Sequence, residues 1–501
     1  MFFRKPSPTS TSSLHDHLPS SPDPFSNTKD KDPNIYIAKL TKIKYFLFSS
    51  IFIATWLILI RLRLFPTNTT TITTSLSTTL NNHTKTCLGS YPFYIYNLPP
   101  KFNLGLLEHC NKLNIYTNMC PHVANNGLGQ PITTVTETVT ALPLSTSSSS
   151  WFATHQFIAE MIIHARLENH PCRTWDPTEA RLFYVPFYGG LYASSVFREA
   201  NLTQRDSLIV DLVDFLQSQP RFSVNNGRDH FLALGRTAWD FMRTPDGPDF
   251  GANILLNLPS VKNMSVLTVE RQPWQGKNQF GIPYPSYFHP RSLTELAKWQ
   301  NGIRHSQRPH LFSFVGGPRK GLKKAQIRDE ILKQCRNSEK CELVQCGRGA
   351  GKCHDPMAVL EVMTKSRFCL QAPGDSFTRR STFDSILAGC VPVFFSPHTA
   401  YSQYAWYVPD ERDTYSVFID ENDCGEGKKS IEEVLMAISK EKEEKMRGVV
   451  ISLINKVTYM HPNASVVEDV SFGDAVDIAL ERLSRIVEEK ISGGDSESEE
   501  V

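Results

Sequence analysis

The stretch Phe368-Cys-Leu-Gln-Ala-Pro-Gly-Asp-Ser-Phe-Thr-Arg-Arg-Ser-Thr-Phe-Asp-Ser-Ile-Leu-Ala-Gly-Cys-Val-Pro-Val-Phe-Phe395 sets two short apolar runs around a polar centre. Each run is short enough for a buried strand, and the segment between them holds a Gly-Asp-Ser loop, two arginines and a helical stretch. Strand, loop, helix and strand in that order make a parallel α/β unit. The helix N-terminus then lies at the carboxyl end of a strand, where backbone N–H groups and arginines can hold a diphosphate. The reading implied is an enzyme that handles a nucleotide-activated sugar.

Working outward, the same alternation recurs. His310-Leu-Phe-Ser-Phe-Val reads as a strand, Gly316-Gly-Pro-Arg319 as its loop and Lys324–Cys335 as a helix, with further strands near Glu342–Gln345, Phe368–Gln371 and Val391–Phe395. Upstream, a strand in Tyr91-Pro-Phe-Tyr-Ile-Tyr precedes a helical spacing in Thr154–Asn169. A buried strand in Ala180–Tyr188 closes on a Gly-Gly loop, and a helix near Ser207–Gln217 leads to a strand near His230–Leu234. Such alternation predicts parallel α/β sheets. The expectation is two Rossmann-like lobes, over 87–300 and 301–430, joined by a linker near 295–308 and facing each other across a cleft. Residues 431–490 read as helices, with Val476, Leu480, Leu483 and Val487 as a core-facing stripe. An acidic tail occupies 491–501.

The N-terminal part has a different character. Residues 1–44 read as a disordered tail, 45–64 as one transmembrane helix and 65–86 as a Thr- and Asn-rich stem. Five lysines in 29–44 precede the apolar run, and only Arg61 and Arg63 lie close after it, which orients the tail to the cytosol. The sequons at Asn68, Asn82, Asn201, Asn263 and Asn463 all follow the span, as do all eleven cysteines. Both fit an oxidising lumen, where Cys335, Cys341, Cys346 and Cys353 can pair locally and the odd count leaves a thiol over. A net charge of +2 over 501 residues offers no basic field for nucleic acid.

Candidate ligand residues sit on the strand-end loops of the 301–430 lobe. Gly316, Gly317 and Arg319 end the first strand, and Gly374, Asp375, Ser376, Arg379 and Arg380 follow a second. Glycines admit a ligand to the backbone, and two arginine sites suit a diphosphate leaving group. Asp384, four residues after Arg380, either accepts a ribose diol, the favoured role, or orients Arg380. The sole Asp-x-Asp, Asp30-Lys-Asp32, falls on the cytosolic side, so basic residues rather than a metal are expected to neutralise charge. An acceptor hydroxyl needs a base. Asp229-His230, Asp240, His155, Glu160 and Glu270-Arg271 are candidates, and Asp229-His230 is the pair chosen. Trp151, Trp175, Tyr188, Trp239, Trp274 and Trp406 offer faces for sugars, although most such rings are core.

Tyr94-Ile-Tyr-Asn-Leu-Pro-Pro-Lys-Phe-Asn, Arg173-Thr-Trp-Asp-Pro, Phe183-Tyr-Val-Pro-Phe-Tyr, Gly227-Arg-Asp-His-Phe, Phe314-Val-Gly-Gly-Pro-Arg and the 368–395 stretch together resemble the exostosin-type glycosyltransferases. Arg379-Arg380-Ser-Thr-Phe-Asp384 and Tyr404-Ala-Trp-Tyr resemble the plant xyloglucan galactosyltransferase branch. The likeness covers roughly residues 90–480. It implies a two-lobed GT-B fold behind one N-terminal transmembrane helix, and a single-pass type II place in the Golgi membrane. It implies inverting transfer of galactose from UDP-galactose, in β-1,2 linkage, to xylosyl side chains of a xyloglucan acceptor. By matched motifs, Arg319, Arg380 and Asp384 serve UDP, and no metal cofactor is expected. Association with other wall-glycan transferases is a further expectation. Galacturonic acid as the transferred sugar, or a non-catalytic Golgi scaffold of the same fold, are the alternatives. A Gly-Asp-Ser esterase is disfavoured, because no Asp-x-x-His occurs.

Overall fold

The computed structural model describes residues 87, 92–132, 150–244, 250–274, 276–347, 351–425, 430–464 and 473–492. The tail, candidate span and stem, the sequons at Asn68 and Asn82, and the end of the chain from 493 lie outside the described residues. Among the described residues no helix is long and apolar enough to cross a membrane.

Two sheets, parallel throughout among the described residues, organise the molecule. Lobe one holds β1 (Phe93–Ile95), β2 (Arg173–Thr174), β3 (Leu182–Val185), β4 (His230–Thr237), β5 (Ser265–Glu270) and β6 (Gln279–Gly281), in the order β2-β1-β3-β4-β5-β6. Lobe two holds β7 (His310–Gly316), β8 (Cys341–Gln345), β9 (Ser366–Gln371), β10 (Val391–Phe394) and β11 (Val417–Phe418), in the order β11-β10-β9-β7-β8. Counted within each lobe, both follow 2-1-3-4-5, and lobe one adds a sixth strand. The order reverses between the first and third strands, which opens a crevice at their carboxyl ends. The middle strands are apolar on both faces because helices cover both sides. Leu182, Phe183, Tyr184 and Val185 are all buried.

Several boundaries differ from the sequence reading, for local reasons. Gly189-Gly190 opens the helix Gly189–Val196 instead of forming a loop. The expected linker at 295–308 is largely the helix Leu293–Arg304. Ser292 caps it by accepting the Glu295 N–H at 3.2 Å, and the Glu295 carboxylate accepts the Arg291 N–H at 2.7 Å. This reciprocal cap is visible as Ser-x-x-Glu. Trp299 fastens the helix to lobe two, donating its indole N–H to the Leu387 carbonyl at 3.0 Å. Strand β4 runs three residues past Leu234, and β5, an apolar run before Glu270, was not anticipated.

The last described helix, Ala475–Ser492, buries Val476, Leu480, Leu483 and Val487. Its stripe packs on Ile163, Leu167, Phe231 and Leu267 of lobe one, each such burial contributing about 1.5–3 kcal/mol. Arg166 pairs with Asp474 at 3.1 Å and Asp477 at 3.4 Å, so the chain end is tied to lobe one by buried charge as well. Disulfides join Cys87–Cys172, Cys110–Cys120, Cys335–Cys341, Cys346–Cys353 and Cys369–Cys390. Cys424 keeps a buried thiol, which burial pushes up to about 11. Asn201 and Asn463 are exposed, while Asn263 donates its side-chain N–H to the Asn226 carbonyl at 3.1 Å.

Candidate active site

The carboxyl ends of strands from both sheets border one cleft of about 550 Å³. Lobe one lines it with Arg236, Trp239, Asp240 and Trp274, which follow β4 and β5. Lobe two lines it with Asp375, Ser376, Phe377, Thr378, Arg379 and Arg380, which follow β9, and with Lys324. This is the placement expected of a ligand site in open parallel sheets. Among the described residues no three His, Cys, Asp or Glu side chains converge as metal ligands.

The lobe-two wall is cationic. The helix Arg380–Leu387 starts without a side-chain cap, so neither Asp375 nor Ser376 occupies its first N–H groups. Its dipole and free donors favour an anion there. Arg380 lies across the Tyr287 ring, 3.6 Å from its centroid, and donates one N–H to the Thr154 carbonyl at 2.6 Å. Its Nη2 is buried with no hydrogen-bond partner among the described residues. Its Nε stands 3.5 Å from Asp384 Oδ2, an ion pair too long for a good hydrogen bond. Beside it Arg379 lies over Gly374, where a Cβ would meet the guanidinium at 1.7 Å, so only glycine admits this arginine. Burial holds Arg379 below the ordinary arginine pKa, and neighbouring Tyr284 and Asp375 offset part of that shift.

Asp384 departs from its favoured role. It is fully buried beneath Arg380, and its Oδ1 accepts the Ser286 hydroxyl at 2.6 Å. Burial raises its pKa, and the Arg380 charge opposes that. A carboxyl so enclosed faces Arg380 and Ser286 and is not part of the cleft lining. Arg319 stands at the rim, half exposed, 3.2 Å from exposed Asp375. Gly316 ends β7, and Gly317 lies against the chain rather than the cleft: a Cβ there would be 2.1 Å from the Cys346 carbonyl. Arg328 joins these loops, donating to the carbonyls of Gly317 at 2.6 Å and Ala372 at 3.0 Å.

Lobe one requires a correction. Asp229 and His230 are buried, at the amino end of β4, whereas Arg236 and Thr237 at its carboxyl end line the cleft. A strand of that length puts roughly 20 Å between the two ends. His230 stacks on Phe183 at 4.8 Å, bonds Asp229 at 2.7 Å and meets the Tyr96 hydroxyl at 2.8 Å. It is a satisfied core histidine and no base for a cleft substrate. Glu160 is buried too, accepting backbone N–H groups from Gly190, Leu191 and Gly235. His155 is pushed down to about 3, by burial first and then by His122, Arg380 and Arg236. Its Nδ1 accepts the Phe157 N–H at 3.2 Å, so the lone pair on that nitrogen is already engaged. Glu270 has both oxygens engaged, by the Trp239 indole at 3.0 Å and by Thr378 N–H at 2.8 Å, and so latches lobe one to the lobe-two loop.

Asp240 is the acid that lobe one presents to the cleft. Its Oδ2 receives Arg236 at 2.7 Å and the Thr237 hydroxyl at 3.3 Å, and no described group hydrogen-bonds Oδ1. Sequence reasoning named Asp240 without choosing it and missed Arg236 and Arg328. Ending β4 at Leu234 hid the first of these. The strand-end rule that found Arg380 points to residues 236–240 once β4 has its full length.

Two parallel lobes with a cationic strand-end site facing a carboxylate define a group-transfer enzyme of the two-lobed nucleotide-sugar type, and the layout fits GT-B. Residues 89–435 match the exostosin GT47 domain, and the chain belongs to that glycosyltransferase family. It is similar to "Probable xyloglucan galactosyltransferase GT17" of Arabidopsis thaliana, 61% identical over 401 residues, 80% of this chain and 84% of that one. "Xyloglucan galactosyltransferase MUR3" of the same plant is 41% identical over 83% of this chain and 66% of its own. "Xyloglucan galactosyltransferase XLT2", also from Arabidopsis thaliana, is 40% identical over 79% and 75%. A solved glycosyltransferase from Rickettsia africae overlaps 58% of this chain and 83% of its own at 8% identity, with a TM-score of 0.30, too slight a likeness to argue from.

Proposed function

We propose that the chain is an inverting galactosyltransferase that moves galactose from UDP-galactose, in β-1,2 linkage, onto xylosyl side chains of xyloglucan. The observation that carries the donor part is the buried Nη2 of Arg380, without a hydrogen-bond partner among the described residues, beside Arg379 at an uncapped helix N-terminus. Such donors need an anion, and a diphosphate supplies it. The names of the relatives support galactose and xyloglucan.

In the proposed step, the acceptor hydroxyl oxygen attacks the anomeric carbon. The bond from that carbon to the diphosphate oxygen breaks, and its electron pair leaves with UDP. The hydroxyl proton passes to Asp240 Oδ1. A single displacement of this kind inverts the anomeric centre. Arg379 and Arg380 neutralise the leaving diphosphate where other enzymes place a metal ion, so transfer is proposed to be metal-independent. Asp384 holds Arg380 in line, and Asp375 and Ser376 of the loop after β9, with Arg319 at the rim, complete the UDP site, while Gly316, Gly317 and Gly374 let the loops pack behind it. The apolar run at 45–64 is proposed to anchor the protein in the Golgi membrane with its body in the lumen, and the five disulfides support an oxidising compartment.

The test uses the full-length chain in detergent, with xylosylated glucan oligosaccharide and UDP-galactose or UDP-galacturonic acid, with and without EDTA. A gain of one hexose that survives EDTA is expected. A hexuronic acid gain replaces the donor sugar, and loss of transfer in EDTA overturns metal independence. UDP binding without any transfer overturns the catalytic reading.

A further inference from the structure

The two walls of the cleft differ in chemistry. Lobe two supplies arginines, whereas lobe one supplies a row of aromatic rings whose only charges there, Arg236 and Asp240, are paired with each other. Phe250, Trp239 and Trp274 follow one another edge to face, with ring centroids 6.3 and 6.1 Å apart. Trp274 also meets Phe377 at 6.0 Å and His398 at 5.4 Å. Phe250 and Trp274 nevertheless keep 62% of their surface open. The central ring is pinned, since the Trp239 indole donates to Glu270, itself held by Thr378. A fold that hides most of its large aromatics, pins the middle one of these three and leaves the outer two in water is presenting a binding face.

We infer that this row seats the glucan backbone of the acceptor, a proposal that rests on the polysaccharide-acceptor reading above. A neutral polysaccharide has no charge for the arginine wall to grip. Its flat C–H faces are apolar and stack on aromatic rings, and rigid aromatics gain contact at little entropic cost. Phe250 and Trp274 are both exposed, one on each side of Trp239, so the row offers places for more than one sugar of an extended chain. The row is also continuous with the cleft, so a backbone lying on it brings its side-chain sugars toward Asp240 and the donor.

The test compares full-length wild type with the double variant Trp274→Ala and Phe250→Ala, and with Trp175→Ala as control. Trp175 is 76% exposed but stacks on Arg173, away from the cleft lining. Binding of xylosylated glucan oligosaccharides of increasing backbone length, and of UDP, is followed by calorimetry. In wild type and control, affinity is expected to rise with backbone length. In the double variant it falls about tenfold or more, acceptor KM rises in step, and UDP affinity stays the same. Unchanged oligosaccharide affinity in the double variant overturns the inference and leaves the acceptor reading intact. A fall in UDP affinity instead makes the row a nucleobase site and also overturns it. If wild type binds UDP but no glucan, the acceptor reading itself fails and the inference falls with it.

Discussion

The two lobes repeat one strand order and fill its crevice in opposite ways. In lobe one the helix Gly189–Val196 begins after β3 at the reversal of strand order. A carboxyl from the protein itself, Glu160, sits at that helix N-terminus and accepts the N–H groups of Gly190 at 2.8 Å and Leu191 at 2.9 Å, with Gly235 adding a third at 2.9 Å. In lobe two the helix Arg380–Leu387 begins after β9 at the matching reversal, has no side-chain cap and is flanked by two arginines. The same geometry is closed in one lobe and open in the other. The fold therefore explains two potential anion sites, and only side-chain chemistry says which one takes an anion from solution.

The largest effect that tests this contrast is expected at Arg380. Arg380→Ala removes two buried donors and strands Asp384 with Ser286 alone. Transfer should fall by about 10³-fold, the scale of losing a positioned charge-stabilising donor. UDP affinity should fall with it, and the loss of ion pairing should lower stability by about 3 kcal/mol. Arg380→Lys restores charge without the forked geometry and should recover only part. Kinetics, calorimetry with UDP and thermal melts read the three effects. Full activity in Arg380→Ala would end the comparison, because the open site would then be no more functional than the plugged one. Asp240→Asn should come next, with about 10²-fold lower kcat and unaltered UDP affinity. A matching loss of UDP affinity would make Asp240 a donor-site residue.

Lobe two was legible in the sequence because its signals are local. Two apolar runs mark β9 and β10, and the adjacent arginines fall where a helix must start. Asp384 was only half legible. Its spacing from Arg380 places the two together, but nothing local shows that Ser286, 98 residues away, takes its other oxygen. Lobe one was less legible because its site depends on strand length and burial. Asp229-His230 looks like a polar pair at an edge, yet Phe183, Phe222 and Tyr96 cover it in three dimensions. The tryptophans divide in the same way. Trp151 is core and Trp274 is open, and composition alone does not separate them.

The closed site offers a smaller test, of stability rather than catalysis. Burial pushes the Glu160 carboxyl up to about 7, while its three backbone donors pull it down. The unfolded chain releases that proton near the ordinary 4.5. Between those values the native state binds more protons, so this group's contribution to stability falls as pH rises from about 4.5 to about 7. Glu160→Gln abolishes that slope and sets an amide N–H₂ against at least one backbone donor, at a cost of about 1–3 kcal/mol. Thermal midpoints across pH 4.5–8 should show a flatter, lower curve for the variant, with UDP affinity unchanged. A wild-type curve without that slope would mean that the three donors outweigh burial and that the plug is a full carboxylate.

The smallest effect is expected at the rim of the open site. Arg319 and Asp375 are 3.2 Å apart, with side chains 46% and 70% exposed, so water and salt screen them. An exposed pair of this kind contributes about 0–1 kcal/mol. Arg319→Ala should leave the thermal midpoint in place and raise the donor KM by about threefold at low salt, a change within that range. The increase should fade as ionic strength rises, because a rim charge steers an anionic donor more than it holds it. Arg380, enclosed by Thr154, Tyr287 and Asp384, should keep its effect at any salt. Measuring both variants against sodium chloride thus grades the open site by depth. An Arg319 effect as large and as salt-insensitive as that of Arg380 would place the diphosphate nearer the rim and leave the buried Nη2 of Arg380 without its anion.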